Sequence, residues 1–313
     1  MLQRIQIRNF RCLREVDVPL RPLTVLIGPN DSGKSAFMEV ISQTAVGDIA
    51  PTVLDCWRGD KQFRVEVNGQ ADEGVFRCPY GNPKILPSPN PFLPFAFFVL
   101  PSDGVQMASA GYPDTGRAPD IGQEGTMIPA LLDHLLRRDR NRFSAVISAL
   151  QALIPGFEGL EIGTPDASRR QVDLVIEGGL RIPASMASVG VRLMFFFVAL
   201  AFHPKPPRLI LIEEPDNGVH PKRLKDVIGL LREITQGKHG DNAAQVILTT
   251  HSPHLLDYVD LEQDQVLVFR RQEDGSRTAE PVDKERLKNF LDEFMLGEVW
   301  FNEGEDGLVR RDK

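Results

Sequence analysis

An apolar run, Leu23-Thr24-Val25-Leu26-Ile27, is followed by Gly28-Pro29-Asn30-Asp31-Ser32-Gly33-Lys34-Ser35 and then by Ala36-Phe37-Met38-Glu39-Val40-Ile41. No other stretch restricts the fold as much. The first run is short and β-branched, as a buried strand is, and the last reads as the opening turns of a helix. The residues between them fit G-x-x-x-x-G-K-[ST], a loop whose backbone N–H groups cradle phosphates. Strand, glycine loop and helix is the context this pattern needs, because the helix N-terminus then points its free N–H groups at an anion. Residues Asn30, Asp31, Ser32, Gly33, Lys34, Ser35 and Ala36 are therefore the expected nucleotide contacts. Lys34 would set a point charge on the β/γ-phosphates, and the Ser35 hydroxyl would hold Mg²⁺. The alternative is a glycine-rich turn that happens to carry Lys-Ser, and the motifs below weigh against it.

The 313 residues suit one large α/β domain with an insertion, or two small domains. Hydrophobic content of 42% with 25% charged residues excludes a disordered chain. Cys12, Cys56 and Cys78 are odd in number and lack metal-like spacing, which fits a reducing cytoplasm without a disulfide framework. Met1-Leu-Gln-Arg-Ile lacks the apolar core of a signal peptide. The longest apolar run, Leu193 to Phe202, falls well short of the roughly twenty residues that cross a bilayer, so no membrane partner is expected. A net charge of −7 argues against a generic nucleic-acid coat. Basic clusters exist at Arg137, Arg138, Arg140 and Arg142, at Arg169 and Arg170, and at Lys222, Arg223 and Lys225. Each reads as a solvated face or as a phosphate contact, and no aromatic residues interleave to suggest base stacking, so DNA binding stays open.

Along the chain, residues 2–8 alternate as a half-buried strand, Asn9-Phe10-Arg11 turns, and 13–20 reads as a second strand. Residues 63–67 and 74–78 suggest a hairpin around Asn68-Gly69. Six prolines between Cys78 and Pro94 indicate an irregular crossing segment, and 101–125 reads as a loop. A strand at 95–100, helices at 126–138 and 142–153, and strands at 158–162 and 171–177 follow. Val189 to Phe202 is a buried helix. Then come a strand at 208–213, a helix at 221–235, a strand at 245–249, a short helix at 253–259, a strand at 265–270 and a helix at 283–295. Alternation of strand and helix implies a largely parallel sheet.

Three further segments carry chemistry. Leu209-Ile-Leu-Ile-Glu213-Glu214-Pro215-Asp216 is a central strand ending in two acids. At the C-terminal edge of a parallel sheet, Glu213 would hold Mg²⁺ and Glu214 would orient the attacking water as general base. Val246-Ile-Leu-Thr-Thr250-His251 ends in a histidine that is either a satisfied core residue or a group reaching the γ-phosphate or the water. Ser188-Val189-Gly190-Val191-Arg192 opens a helix with a hydroxyl and free N–H groups, either an ordinary N-cap or an anion contact.

In this order the four pieces resemble the ABC-type P-loop ATPases, and within them the RecF/OLD/SMC-like branch. The resemblance is carried by Ile7-Arg-Asn-Phe-Arg11 before Val25-Leu-Ile-Gly-Pro-Asn30, by Glu213-Glu-Pro-Asp-Asn-Gly-Val-His-Pro221 and by Leu248-Thr-Thr-His-Ser-Pro253. It implies an α/β fold of ABC type, a largely parallel central sheet with an antiparallel β subdomain and a helical insertion. It also implies an ATP sandwich between two protomers, with Glu214, His251 and Lys34 as catalytic groups and Ser35 and Glu213 on the metal. Ser188 and Gly190 would bind the opposite protomer's γ-phosphate, Asp216 would lie at the interface, and Gln106 stands where a Mg²⁺-sensing loop belongs. Val189 replaces the Asp or Gly usual in relatives, and Glu213 stands where many have Asp. The expected organisation is an N-terminal lobe over 1–100, an insertion over 101–187 and a C-terminal lobe over 188–313. No coiled-coil arm is expected, and the sixty or so residues after His251 are fewer than an appended nuclease domain needs. The expected function is an ATP-hydrolysing, dimerising switch in DNA repair or antiphage defence. The alternative is an ATP-gated scaffold for a separately encoded effector, a toxin or nuclease, without DNA.

Overall fold

The predicted central strands are mostly apolar without alternation, the pattern of a sheet covered on both faces. A computed structural model of the chain describes residues 1–46, 64–71, 74–75, 94–101, 104–111, 116–165 and 169–309. Strands β3 (Leu23–Ile27) and β12 (Gln245–Thr249) are buried throughout, and β11 (Leu209–Glu213) is buried up to its final residue. With β13 (Gln265–Arg271) they form the parallel run β13-β3-β12-β11.

Around this run the sheet becomes mixed. Strands β1 (Leu2–Phe10), β2 (Leu13–Pro19), β4 (Arg64–Ala71) and β5 (Gly74–Val75) pair antiparallel, and β14 (Arg277–Pro281) joins them to β13. With β6 (Phe95–Val99) at the far edge, the ten-stranded order is β5-β4-β1-β2-β14-β13-β3-β12-β11-β6. Helix α1 (Lys34–Val46) buries Phe37, Met38, Val40 and Ile41 in the same core as Leu26, Leu211 and Ile247. Phe37 meets Phe269 edge-on, with ring centroids 5.3 Å apart.

The chain divides into two compact units. The first holds residues 1–97, 207–214 and 244–313, and the second 98–206 and 215–243. In the second, helices α2 (Ile128–Arg138), α3 (Arg140–Leu153), α4 (Val189–Ala201) and α5 (Pro221–Thr235) pack together. Helix α4 is apolar on almost every face because neighbours surround it: Phe196 meets Phe98, and Phe195 meets Phe157, edge to face. A small antiparallel sheet of β7 (Ala108–Ala110), β8 (Phe157–Gly163), β9 (Arg169–Ile176) and β10 (Leu180–Pro183) completes this unit.

Several sequence expectations need correction. Asn68-Gly69 does not turn: β4 runs through it to Ala71, pairing with β1 across a register shift at Leu2/Arg4 and with β5 at Gln70↔Val75. The extra residue of the bulge is Gln3 on β1, so Asn68 and Gly69 both stay paired, with Arg4 and Leu2, and the strand continues. The helix expected over 283–295 ends early as α7 (Lys284–Leu291), and a further helix that was not expected, α8 (Leu296–Leu308), follows, its start capped by Glu298 at the Met295 N–H, 2.9 Å away. The helix over 253–259 shortens to α6 (Pro253–Leu256), and β7, β10 and β14 were not expected. The proline-rich crossing, Cys56 and Cys78, and Ser102 and Asp103 lie outside the described residues. Among the described residues, no helix is long and apolar enough to cross a membrane.

Candidate nucleotide-binding site

The glycine loop hugs the sheet so closely that two positions exclude a side chain. Gly28 has φ +137°, and a Cβ there would lie 2.4 Å from the Phe269 carbonyl oxygen on β13. Gly33 has φ +101°, and its Cβ would meet Leu13 at 3.0 Å and Arg277 at 3.2 Å. Both require glycine for conformation and for space. Phe37 N–H bonds to the Gly33 carbonyl at 2.9 Å, so helix α1 grows directly out of the loop.

Lys34 folds back over this loop. Its ammonium donates to the carbonyls of Gly28 at 2.8 Å and Pro29 at 2.9 Å, and to Ser32 Oγ at 3.4 Å. Only 6% of the residue is exposed. Burial is the main influence and pushes its pKa down to about 8, while the carboxylates of Glu214, Glu305 and Glu213 work against that shift. The ammonium therefore stays charged at neutral pH, held by carbonyls that a phosphate could replace. Ser32 is buried, whereas Asn30, Asp31 and Ser35 are exposed and Ala36 is half-buried in the first helical turn.

The carboxylates arrive from the next strands. Glu213 ends β11, and Glu214 leaves it with φ +47°, a left-handed conformation unusual outside glycine. The turn is held by β12: Glu214 N–H donates to the Thr249 carbonyl at 3.2 Å and to Thr249 Oγ1 at 3.1 Å. His251, just past β12, brings Nε2 to 3.5 Å from Glu214 Oε1. Both side chains keep contact with solvent, His251 35% and Glu214 47% exposed, so water can reach the pair. Thr250 N–H bonds the Leu26 carbonyl at 3.1 Å, tying this segment to the end of β3. The loop, Glu213, Glu214 and His251 thus gather at the C-terminal ends of adjacent parallel strands, where open α/β sheets bind ligands.

The donor set fits a nucleotide with Mg²⁺. A glycine cradle with no room for side chains, a charged lysine inside it, an exposed serine hydroxyl and a strand-end carboxylate are the groups that Mg²⁺-triphosphate chemistry uses.

Ser188, Gly190 and Asp216 belong to the second unit. Ser188 caps α4, its Oγ accepting from Val191 N–H at 3.4 Å, and is itself exposed. Gly190 lies against the Gly218 carbonyl, to which an added Cβ would come within 3.4 Å. Val189 packs onto Gly218, which has φ +81°. The helix start and the Asp216–Val219 turn, closed by a 3.0 Å hydrogen bond, are therefore neighbours. Gln106 is exposed, two residues from Gly104, and the Val105 carbonyl accepts from Arg192 of α4 at 3.2 Å.

Two residues at the loop escaped sequence reasoning. Arg277 donates to the Asp31 carbonyl from Nε at 2.5 Å and to Asp31 Oδ2 from Nη2 at 2.6 Å. Glu305 of α8 acts on the Lys34 charge and accepts from Trp300 Nε1 at 3.2 Å. The turn signal Asp274-Gly275 could have revealed the hairpin that carries Arg277. Nothing local marks Glu305.

Comparison with known proteins bears on the family and the fold. Residues 93–257 match the family model described as "AAA domain, putative AbiEii toxin, Type IV TA system", and residues 1–45 match the model "AAA ATPase domain". The chain is similar to an "OLD nuclease" of Thermus scotoductus (strain ATCC 700910 / SA-01), 24% identical, over 95% of this chain and 68% of that protein. Its fold is similar to an Smc head crystallised with the C-winged helix domain of ScpA (TM-score 0.60, 15% identity, 92% of this chain and 99% of that one). An SMC head domain from Thermotoga maritima gives a TM-score of 0.55 at 14% identity, covering 90% of this chain and 99% of that one. The mixed, mostly parallel sheet with its small antiparallel companion is the SMC-head-like ABC ATPase fold. With residues 93–257 matched, more than half of its length, the chain belongs to the first of these AAA-domain families and is an ABC/SMC-like P-loop ATPase.

Proposed function

We propose that the chain binds ATP with Mg²⁺, dimerises head to tail on it and hydrolyses it slowly. One observation carries this reading: Lys34, charged and buried in the glycine cradle, faces the carboxylates of Glu214 and Glu213. Asn30, Asp31, Ser32, Gly33 and Ala36 offer backbone N–H groups to the phosphates, and Lys34 exchanges its carbonyl partners for phosphate oxygens. Ser35 and Glu213 hold Mg²⁺, which neutralises charge on the β- and γ-phosphates when bound. Glu214, which leaves the strand with a φ of +47°, takes the proton of the attacking water, and His251, its Nε2 3.5 Å from Glu214 Oε1, helps to orient that water. Ser188 and Gly190 serve the nucleotide of a second protomer, with Asp216 at the contact between them. The exposed Met186, beside Ser188, supports an interface there. In this scheme residues 1–100 supply the phosphate loop, 188–313 the remaining motifs, and 101–187 an insertion.

The closed dimer would act as a switch on DNA in repair or antiphage defence, a reading supported by the likeness to an OLD nuclease. The family description, with its putative toxin, favours a second reading in which the switch holds a separately encoded effector and no DNA. The deciding experiment measures ATP turnover and light-scattering mass with and without ATP-Mg²⁺, then DNA affinity across a salt series in both states. Turnover, an ATP-dependent doubling of mass and a salt-dependent DNA affinity support the first reading. Doubling of mass without DNA affinity supports the second, and absence of ATP binding defeats both.

A further inference from the structure

We infer that Arg277 is a positioning residue that sets the phosphate loop in its binding shape before any nucleotide arrives. The residue is 5% exposed, so its charge must be met by fixed partners. Those partners belong largely to the loop. Nε reaches the Asp31 carbonyl at 2.5 Å and Nη2 reaches Asp31 Oδ2 at 2.6 Å, while Nη1 turns back to the Gly275 carbonyl. Asp31 has φ +57°, a left-handed conformation that costs about 1 kcal/mol or more outside glycine. The forked contact offsets that cost at the middle of the loop. Two residues on, Gly33 lies against the Arg277 stem, 3.2 Å from where its Cβ would stand.

The brace is itself anchored. Arg277 N–H bonds the Cys12 carbonyl at 2.8 Å, and Arg277 pairs in register with Leu13 of β2. The hairpin turn before it is locked by Asp274, which accepts from Ser276 N–H at 2.9 Å and from Ser276 Oγ at 2.6 Å. A guanidinium fork joining one backbone carbonyl and one carboxylate is a task that lysine, a single point charge, does not perform. The pair is buried at its Arg277 end, 6% exposed, and open at its Asp31 end, 81% exposed, so the guanidinium is the fixed member and the loop the member it holds. The position suits preorganisation of the loop.

The consequence for ATP rests on the function proposed above, whereas the effect on the loop does not, and the test separates them. In the full chain, Arg277→Lys and Asp31→Ala are first compared with wild type without nucleotide, by amide hydrogen exchange. We expect amides of residues 28–35 to exchange at least ~5-fold faster in Arg277→Lys, with β3 and β12 unchanged. Unchanged loop exchange overturns the inference, as does uniform acceleration through the sheet, which would mark a merely structural role. With ATP, KM should rise about tenfold in Arg277→Lys and about threefold in Asp31→Ala, with kcat within about twofold of wild type. A loosened loop with unchanged KM overturns the link to nucleotide. Should Arg277→Lys not fold, Asp31→Ala decides by the same two readouts. If wild type binds no ATP, the proposed function fails and the exchange data alone judge the brace.

Discussion

Helices α1 and α4 both begin at sites expected to meet phosphate, yet their beginnings are built differently. At α1 the chain supplies everything: two glycines without room for side chains, a lysine bound to its own loop's carbonyls, and an arginine behind Asp31. At α4 the start is a surface, with an exposed Ser188 bonded at 3.4 Å and Met186 77% exposed beside it. The first has the rigidity of a preformed ligand site. The second would become a site only when another molecule covers it, as the dimer reading requires. Perturbing the two starts should therefore damage different things, nucleotide binding at one and assembly at the other.

The largest effect is expected at α1. Lys34→Ala should weaken ATP binding by about 100-fold or more by calorimetry, because it removes the ammonium that the cradle holds for the phosphates. Melting temperature should change little, since the variant removes a charge that burial already disfavours. Retained ATP affinity in Lys34→Ala would break the contrast at once. Next, Glu214→Gln should lower kcat by about 10²–10⁴-fold with ATP binding intact, and scattering should then find a lasting ATP-bound dimer. A monomer that binds ATP and does not turn over would leave the α1 half standing and remove the α4 half.

How much of this was legible before the structure depends on how local each cause is. Strands β3, β11 and β12 are continuous apolar runs closed by polar motifs, so their ends and their chemistry could be read together. Helix α5 was legible because Pro221, favoured in the first turn of a helix, stands at its start. Strand β14 was not. Arg-Thr-Ala-Glu-Pro has no strand alternation, and only pairing with β13 and β2 makes it extended. With it went Arg277, which meets Asp31 from far along the chain, and Glu305, carried by a helix that begins only where the last expected one ends. Asn68-Gly69 failed for the opposite reason: a strong local turn signal was overruled by a neighbouring strand that needed partners.

The state of Lys34 could not be read locally either, since its depressed pKa comes from burial, and it sharpens the α1 half of the contrast. A phosphate partner favours the charged ammonium, so nucleotide raises a pKa that stands near 8 in the free protein. Between the two values binding takes up a proton. Affinity for ATP should be full below pH 8 and fall about tenfold by pH 9, one decade per unit. Calorimetry at pH 9 in buffers of different ionisation enthalpy should register the uptake. A flat affinity from pH 7 to 9 would mean that Lys34 does not meet the phosphates.

The smallest effect tests the α4 half. Helix α3 starts at Asp139, whose carboxylate accepts from Arg142 N–H at 3.0 Å and from Arg142 Nε at 3.0 Å. Those two bonds hold its pKa below the usual carboxylate range. Asp139→Ala should cost about 1 kcal/mol in urea unfolding at neutral pH, typical for a lost N-cap. Since the folded pKa is depressed, that stability is present at neutral pH and disappears as pH falls through the folded value, so the variant and wild type should converge in acid. Ser188→Ala removes only an exposed bond at 3.4 Å and should cost less than about 0.5 kcal/mol, while ATP-dependent dimerisation weakens. If Ser188→Ala instead destabilises as much as Asp139→Ala and leaves dimerisation untouched, the serine is a cap like any other, and the two helix starts differ only in exposure.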